Sequence, residues 1–504
     1  MEKSIARLKD ISRELQLLTH SIALLGWDQE TYMPPAAAEE RADQLSLLEG
    51  MLHEKATNPE IGELLAHAGA DGENPGGNTS LPEEDGGLVR AMFRDFGRRI
   101  KLTKDLVMRM AKQTSIGQQI WAEARKRNEF SLFAPELEKI LSLTLEKAEC
   151  LGYSEHVYDA LLDEYEPWMK TSAAEAVFSS LKPRLVKILD KIRGARQVDD
   201  SFLLKNYPRE KQEAFGRAVI SDLGWDVKRG RLDQSTHPFT TTLGKDDVRL
   251  TTRYNENFFK TGIFGIIHEC GHGLYELGFS DSIKGTALAD GTSLGIHESQ
   301  SRMWENVIGR SMAFWEHYFP VLASCFPENL SGVTPERFYR AVNKVEPSFI
   351  RVEADEVTYS LHIILRFTLE TRMVTGKIPV RDLPEAWNSL FQELLGIRPS
   401  SDFDGVLQDV HWSMGGIGYF PTYSLGNLYG AQFYRALKKT LPDAEKLIAG
   451  GDFKPLLSWL RENIHRHGRI YTADELCRKV TGESLNPDYF ISYLEDKFSK
   501  VYEF

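Results

Sequence analysis

FGIIHECGHGLYEL, residues 264–277, is an apolar stretch interrupted by two histidines and a glutamate. His268 and His272 stand four apart, so on a helix they share one face, about one turn from each other, and can converge on one ion. Glu269 is rotated from His268 by ~100°. That places its carboxylate beside a water at such an ion, where a carboxylate can take the proton of the attacking water. Gly271 and Gly273 flank the second histidine, and each costs a helix about 1 kcal/mol against Ala. Another segment is therefore expected to approach closely there. Cys270 points away from the histidine face and reads as a small packing residue. Glu276 continues the stripe, but eight residues of helix rise about 12 Å, too far for a shared ion. The third ligand has to come from elsewhere. GIHESQSRMWENVIG, residues 295–309, offers Glu298 at the start of the next amphipathic helix. Two histidines, a glutamate and an open fourth position make a catalytic zinc site rather than a structural one. His297 competes for the third place and reads better as a group behind the ligands or on the substrate side; Asp290 is weaker for either role.

Outward from this stretch, most of the chain has helical periodicity. Residues 4–25, 134–153, 172–192 and 335–374 place apolar side chains at three- and four-residue intervals. Thr334-Pro335 and Asp382 through Pro384 put proline near a first helical turn. Residues 70–87, ADGENPGGNTSLPEEDGG, read as a solvated surface loop. Residues 237–255 hold two threonine-rich, β-branched runs around Gly244-Lys245-Asp246-Asp247, a hairpin signal just before the histidine helix. Such a hairpin is a plausible edge for a bound peptide strand. No repeat of fixed period is present.

The chain has 504 residues, of which 42% are hydrophobic and 27% charged, the balance of a globular protein with a large core. A net charge of −12 argues against binding nucleic acid or anionic membranes. Cys150, Cys270, Cys325 and Cys477 are far apart and fit a reducing compartment. With no apolar run of ~18 residues and no secretory signal at the N-terminus, a cytoplasmic location is expected.

Beyond the two-histidine motif, five further motifs follow a familiar order: His237-Pro238-Phe239, Asp247-x-Arg249-x-Thr251, His297-Glu298-Ser299-Gln300, Ile350-Arg351-x-x-Ala354-Asp355 and Gly405-x-x-Gln408-Asp409-x-His411-Trp412. With them the chain resembles the carboxypeptidase Taq family of zinc-dependent metallocarboxypeptidases, over nearly its whole length. It departs from the family's usual small residues at Trp168-Met169-Lys170 and in the acidic loop at 70–87. The resemblance implies one catalytic domain over residues 1–504, almost all helical. It also implies two lobes around a long deep groove, similar in shape to neurolysin and angiotensin-converting enzyme. The implied activity removes single amino acids from the free C-terminus of peptides, with broad specificity and poor tolerance of C-terminal proline. Zinc is the implied ion, with cobalt able to substitute, and homodimers are usual.

Reading a free α-carboxylate calls for a fixed guanidinium fork. Arg351 and Arg249 are the candidates, each with an ion-pair partner at hand in Asp355 and Asp247. His237 and Tyr419 complete the substrate-binding set. Donors to the developing oxyanion are expected from HWSMGGIGYFPTYSLGN, residues 411–427, with Tyr423 first and His411 second. Gln300 and Asp409 are expected to orient ligands or their close partners. Two other functions compete: a neurolysin-like oligopeptidase that cuts internally, and a helical peptide-binding protein with a degenerate site. The intact His268, Glu269, His272 and Glu298 speak against the second.

Overall fold

The HExxH stretch folds as one helix, Phe259–Glu276, buried along most of its length. The computed structural model that shows this describes residues 1–504. Helices make up most of the chain, with one small sheet. The chain divides into two compact units. The first contains Met1–Ile100, Asp199–Val342 and Gly430–Ser484; the second contains Lys101–Val198, Asn343–Tyr429 and Leu485–Phe504.

The first unit holds the histidine helix and the sheet. The sheet has strands β1 (Gly230–Gln234), β2 (Thr240–Gly244) and β3 (Asp247–Thr252), in the order β1-β3-β2. The hairpin read from sequence is β2–β3, antiparallel, with Thr241 opposite Arg249. Strand β1 was not anticipated; it pairs parallel to β3. The central strand β3 buries Val248 and Leu250, and β2 is left as an edge. The N-terminal helix runs Glu2–Thr31, longer at both ends than its apolar stripe.

Both glycines beside His272 are explained by close approach. A Cβ on Gly271 would lie 2.7 Å from Ser301 Cα, and one on Gly273 would lie 2.5 Å from the Trp225 ring. The first contact brings the helix Leu294–Arg302, which carries Glu298, against the histidine helix backbone to backbone. Beyond Arg302 the chain widens into a π-helical turn, Met303–Ile308, a local distortion common at functional sites.

Two sequence expectations are corrected. Residues 335–374 are not one helix: a helix Pro335–Val342 ends early, and another runs Tyr359–Val374. Pro347 lies between them, where it has no N–H to give a helix. Asp355 restarts the helix by accepting from the backbone N–H of Val357 and Thr358, both at 2.9 Å. Arg351 therefore sits on a short 3₁₀ turn, Arg351–Glu353, rather than on a long helix. The loop expected at 70–87 is also shorter, because a helix begins at Glu83.

Candidate metal centre and the His411–Tyr423 segment

In the first unit, His268 Nε2, His272 Nε2 and Glu298 Oε2 face one another. Their separations are 3.2 Å between the two histidines, 3.6 Å from His268 to Glu298, and 3.4 Å from His272 to Glu298. Donors about 2.0–2.2 Å from a tetrahedral cation stand about 3.3–3.6 Å apart. The three groups form a cluster that can hold a metal ion.

The outer nitrogens fix which tautomer each ring adopts. His268 Nδ1 lies 2.9 Å from Glu305 Oε2 and donates to it. His272 Nδ1 lies 2.6 Å from His297 Nδ1, and His297 Nε2 lies 2.7 Å from Glu276 Oε1. The carboxylate end of this chain can only accept, so His297 donates from Nε2, and as a neutral ring it accepts at Nδ1. His272 then donates from Nδ1, and its Nε2 lone pair points at the site, as does that of His268. Burial pushes the His272 pKa down to about 3, which keeps the ring neutral. Burial alone would raise Glu298, but the charge of the Arg302 guanidinium holds it well below the ordinary carboxylate range. Arg302 donates to Glu298 at 2.7 Å and to Glu305 at 3.2 Å.

Glu269 is buried, and burial raises its pKa. The Thr240 hydroxyl lies 2.7 Å from Glu269 Oε2, and the Thr242 hydroxyl lies 2.9 Å from Glu276 Oε2. Alternate residues of the edge strand β2 thus hold two carboxylates seven residues apart on the histidine helix. Arg249 on β3 donates from Nε and Nη2 to Asp247 at 3.0 and 2.9 Å, and its guanidinium stacks 4.2 Å from the Trp27 ring centroid. His237 is exposed, in the turn before β2.

In the second unit, Arg351 is buried and donates from Nε and Nη2 to Asp409 Oδ1, at 3.0 and 2.9 Å. Its partner is therefore Asp409 and not Asp355, whose oxygens are occupied by the following helix. Arg366 donates to the other Asp409 oxygen at 2.7 Å. Two guanidiniums share one carboxylate, leaving a buried net positive charge. The Arg351 guanidinium lies 4.7 Å from the Tyr423 ring centroid. His411 Nε2 is 3.2 Å from the Tyr423 hydroxyl, and burial pushes the His411 pKa down to about 4. Tyr419 packs against both, its ring centroid 5.2 Å from His411 and 5.3 Å from Tyr423.

A profile of the carboxypeptidase Taq (M32) metallopeptidases matches residues 7–498. The chain belongs to this family. It is 42% identical to thermostable carboxypeptidase 1 of Thermus thermophilus over 99% of both chains, and 37% identical to carboxypeptidase 1 of Bacillus subtilis over 98% of this chain and 97% of that one. The crystal structure of an M32 carboxypeptidase from Deinococcus radiodurans superposes with a TM-score of 0.95 at 41% identity, covering 100% of each chain.

This metallocarboxypeptidase hydrolyses peptides at their C-termini. Three of its site features were not foreseen. Glu305 follows Glu298 by seven residues with Arg302 between, a same-face spacing that could have flagged it. Thr240 and Thr242 alternate on a strand already suspected of lying beside the helix. Gln300 was expected to orient a ligand or a close partner; its side chain is bonded to His465 and to the Ser299 hydroxyl, both at 2.9 Å.

Proposed function

We propose that this carboxypeptidase is zinc-dependent, with His268, His272 and Glu298 holding the ion and Co²⁺ able to replace it. The observation that carries this is the triangle of donor atoms, whose edges suit a tetrahedral cation. When bound, the ion supplies Lewis acidity to the scissile carbonyl and to the attacking water. Glu269 removes the proton from that water as its oxygen attacks the carbonyl carbon. The proton passes to the amine as the C–N bond breaks. Thr240 holds Glu269 in line throughout. Tyr423, with His411 behind it, donates to the carbonyl oxygen as negative charge develops.

Arg351 binds the terminal carboxylate of the substrate. Its surplus positive charge with Arg366 favours it over Arg249, which a single aspartate already neutralises. Arg249, His237 and Tyr419 contact the departing residue and its neighbour. Specificity is broad except for C-terminal proline. The chain acts in the cytoplasm as a homodimer and as a single catalytic domain.

The deciding experiment incubates zinc-loaded protein with a free-acid peptide and with its C-terminal amide, with and without chelator, and reads products by mass spectrometry. Single residues lost from the free acid alone, and only without chelator, are expected. Internal cuts in both peptides would overturn the reading.

A further inference from the structure

Glu370 lies outside every motif read from the sequence and is completely buried on the helix Tyr359–Val374. Three donors from three separate places meet on its carboxylate. The Tyr158 hydroxyl donates to Oε2 at 2.6 Å, from the helix Val157–Leu162. Trp412 Nε1 donates to Oε1 at 2.8 Å. The backbone N–H of Gly418 donates to Oε2 at 3.1 Å. One turn earlier on the same helix, Arg366 holds Asp409 and also donates to Gln408 Oε1 at 2.8 Å. The segment from Gln408 to Gly418 is therefore fastened to two adjacent side chains of one helix.

Glycine is required at the far fastening point. Gly418 has φ +100°, and a Cβ there would lie 2.7 Å from the Leu161 backbone. The loop is thus pressed onto the end of the helix that supplies Tyr158. His411 leaves this segment at one end, and Tyr419 and Tyr423 follow it at the other.

A carboxylate is the right group for this place because it only accepts. Three neutral donors can share its two oxygens. The isosteric amide would turn an NH₂ toward one of them, and a buried donor facing a donor is costly.

We propose that Glu370 is a positioning residue for the reaction, setting the pose of the segment that carries His411, Tyr419 and Tyr423. This rests on reading that segment as the source of the donors to the substrate carbonyl. Burial pushes the Glu370 pKa up to about 7, against the pull of its three donors. The facing titratable or charged groups are Tyr158 from one helix and Arg366 from its own; the remaining sides present Trp412 and the main chain of Gly418. The three-donor anchor is therefore complete only when the carboxyl is ionised, on the alkaline side.

The test compares wild type with Glu370→Gln and Tyr158→Phe. It measures kcat and KM on a free-acid peptide from about pH 5.5 to 9, and hydrogen–deuterium exchange of residues 411–420. For Glu370→Gln, kcat should fall by about 10-fold to 100-fold with KM nearly unchanged. The acidic limb of its kcat profile should lose the inflection near neutrality, and exchange at 411–420 should quicken. Tyr158→Phe keeps the carboxyl and removes one donor, so its inflection should move to higher pH, a change that loss of packing does not produce. If Glu370→Gln does not fold, this second variant decides. Unchanged kcat profiles overturn the proposal, whether or not exchange or Tm changes. If wild type itself is inactive while exchange responds as described, the proposed function fails and the anchoring by Glu370 stands.

Discussion

His272 can offer a lone pair at Nε2 only while something accepts the proton on its Nδ1. His297 does so, and is itself held by Glu276 and, through Glu276, by Thr242 of the edge strand. His297→Leu should weaken zinc binding by about 10–100-fold, the usual effect of removing a ligand's outer partner. His297→Asn, which keeps an acceptor, should lose less. Competition with a chromophoric chelator measures both, and equal affinities for wild type and His297→Leu would remove His297 from this role. Glu269→Gln should lower kcat by about 10²–10⁴-fold, the range for a general base, with metal content unchanged by atomic absorption. The convergence of His268, His272 and Glu298 was legible because its information is local: a four-residue spacing, and a glutamate in a recognisable motif. Glu305 and Thr240 were not, since each meets its partner across 37 and 29 residues of chain. The spacing from Glu298 marks the face that Glu305 shares, and the alternation along β2 marks that of Thr240, but no local periodicity names the distant partner each one meets.

Helix pairs in this protein are set by backbone contact as much as by side-chain stripes. Gly271→Ala would put a methyl into the Ser301 backbone. Overpacking of this kind typically costs 1–3 kcal/mol, and here it would also push Glu298 away from the two histidines. Both Tm and metal affinity should fall, whereas Gly285→Ala, a change at an open site with φ +80°, should cost stability without touching metal affinity. Trp168 has φ +73° in an exposed turn, a conformation that costs a non-glycine residue about 1 kcal/mol or more. Trp168→Gly should raise the urea midpoint; a lowered midpoint would mean that the indole makes compensating contacts. The glycines beside His272 announced close packing correctly. The break at 343–358 went unread because apolar residues continue through it at helical intervals, and Pro347 is a single letter against that pattern.

At the scale of the molecule, the helical character and the small sheet followed from periodicity, but the partition into two units could not. Each unit is assembled from three separated stretches of chain, and sequence-local patterns do not say which distant stretches pack together. Within the second unit, Glu370 gives stability a pH dependence. Its pKa rises from 4.5 in the unfolded chain to about 7 in the fold. The folded state therefore keeps a proton that the unfolded chain releases. The stabilisation is full below about pH 4.5 and is lost as pH rises through about 7, about 3 kcal/mol in all. Urea unfolding at pH 5 and pH 8 should show this difference in wild type, and Glu370→Gln should remove it.

The interleaved segments also bear on synthesis. The first unit lacks its third stretch until residues 430–484 have emerged, and the second until 485–504 have. Lys497, which pairs with Glu356 at 2.5 Å, and Tyr502, which receives the Val345 N–H at 2.7 Å, belong to that final stretch. At 5–20 residues per second, 504 residues take roughly 25–100 s to make. For most of that time neither unit has all of its stretches, so neither core can close fully until residues 430–484 and 485–504 have emerged.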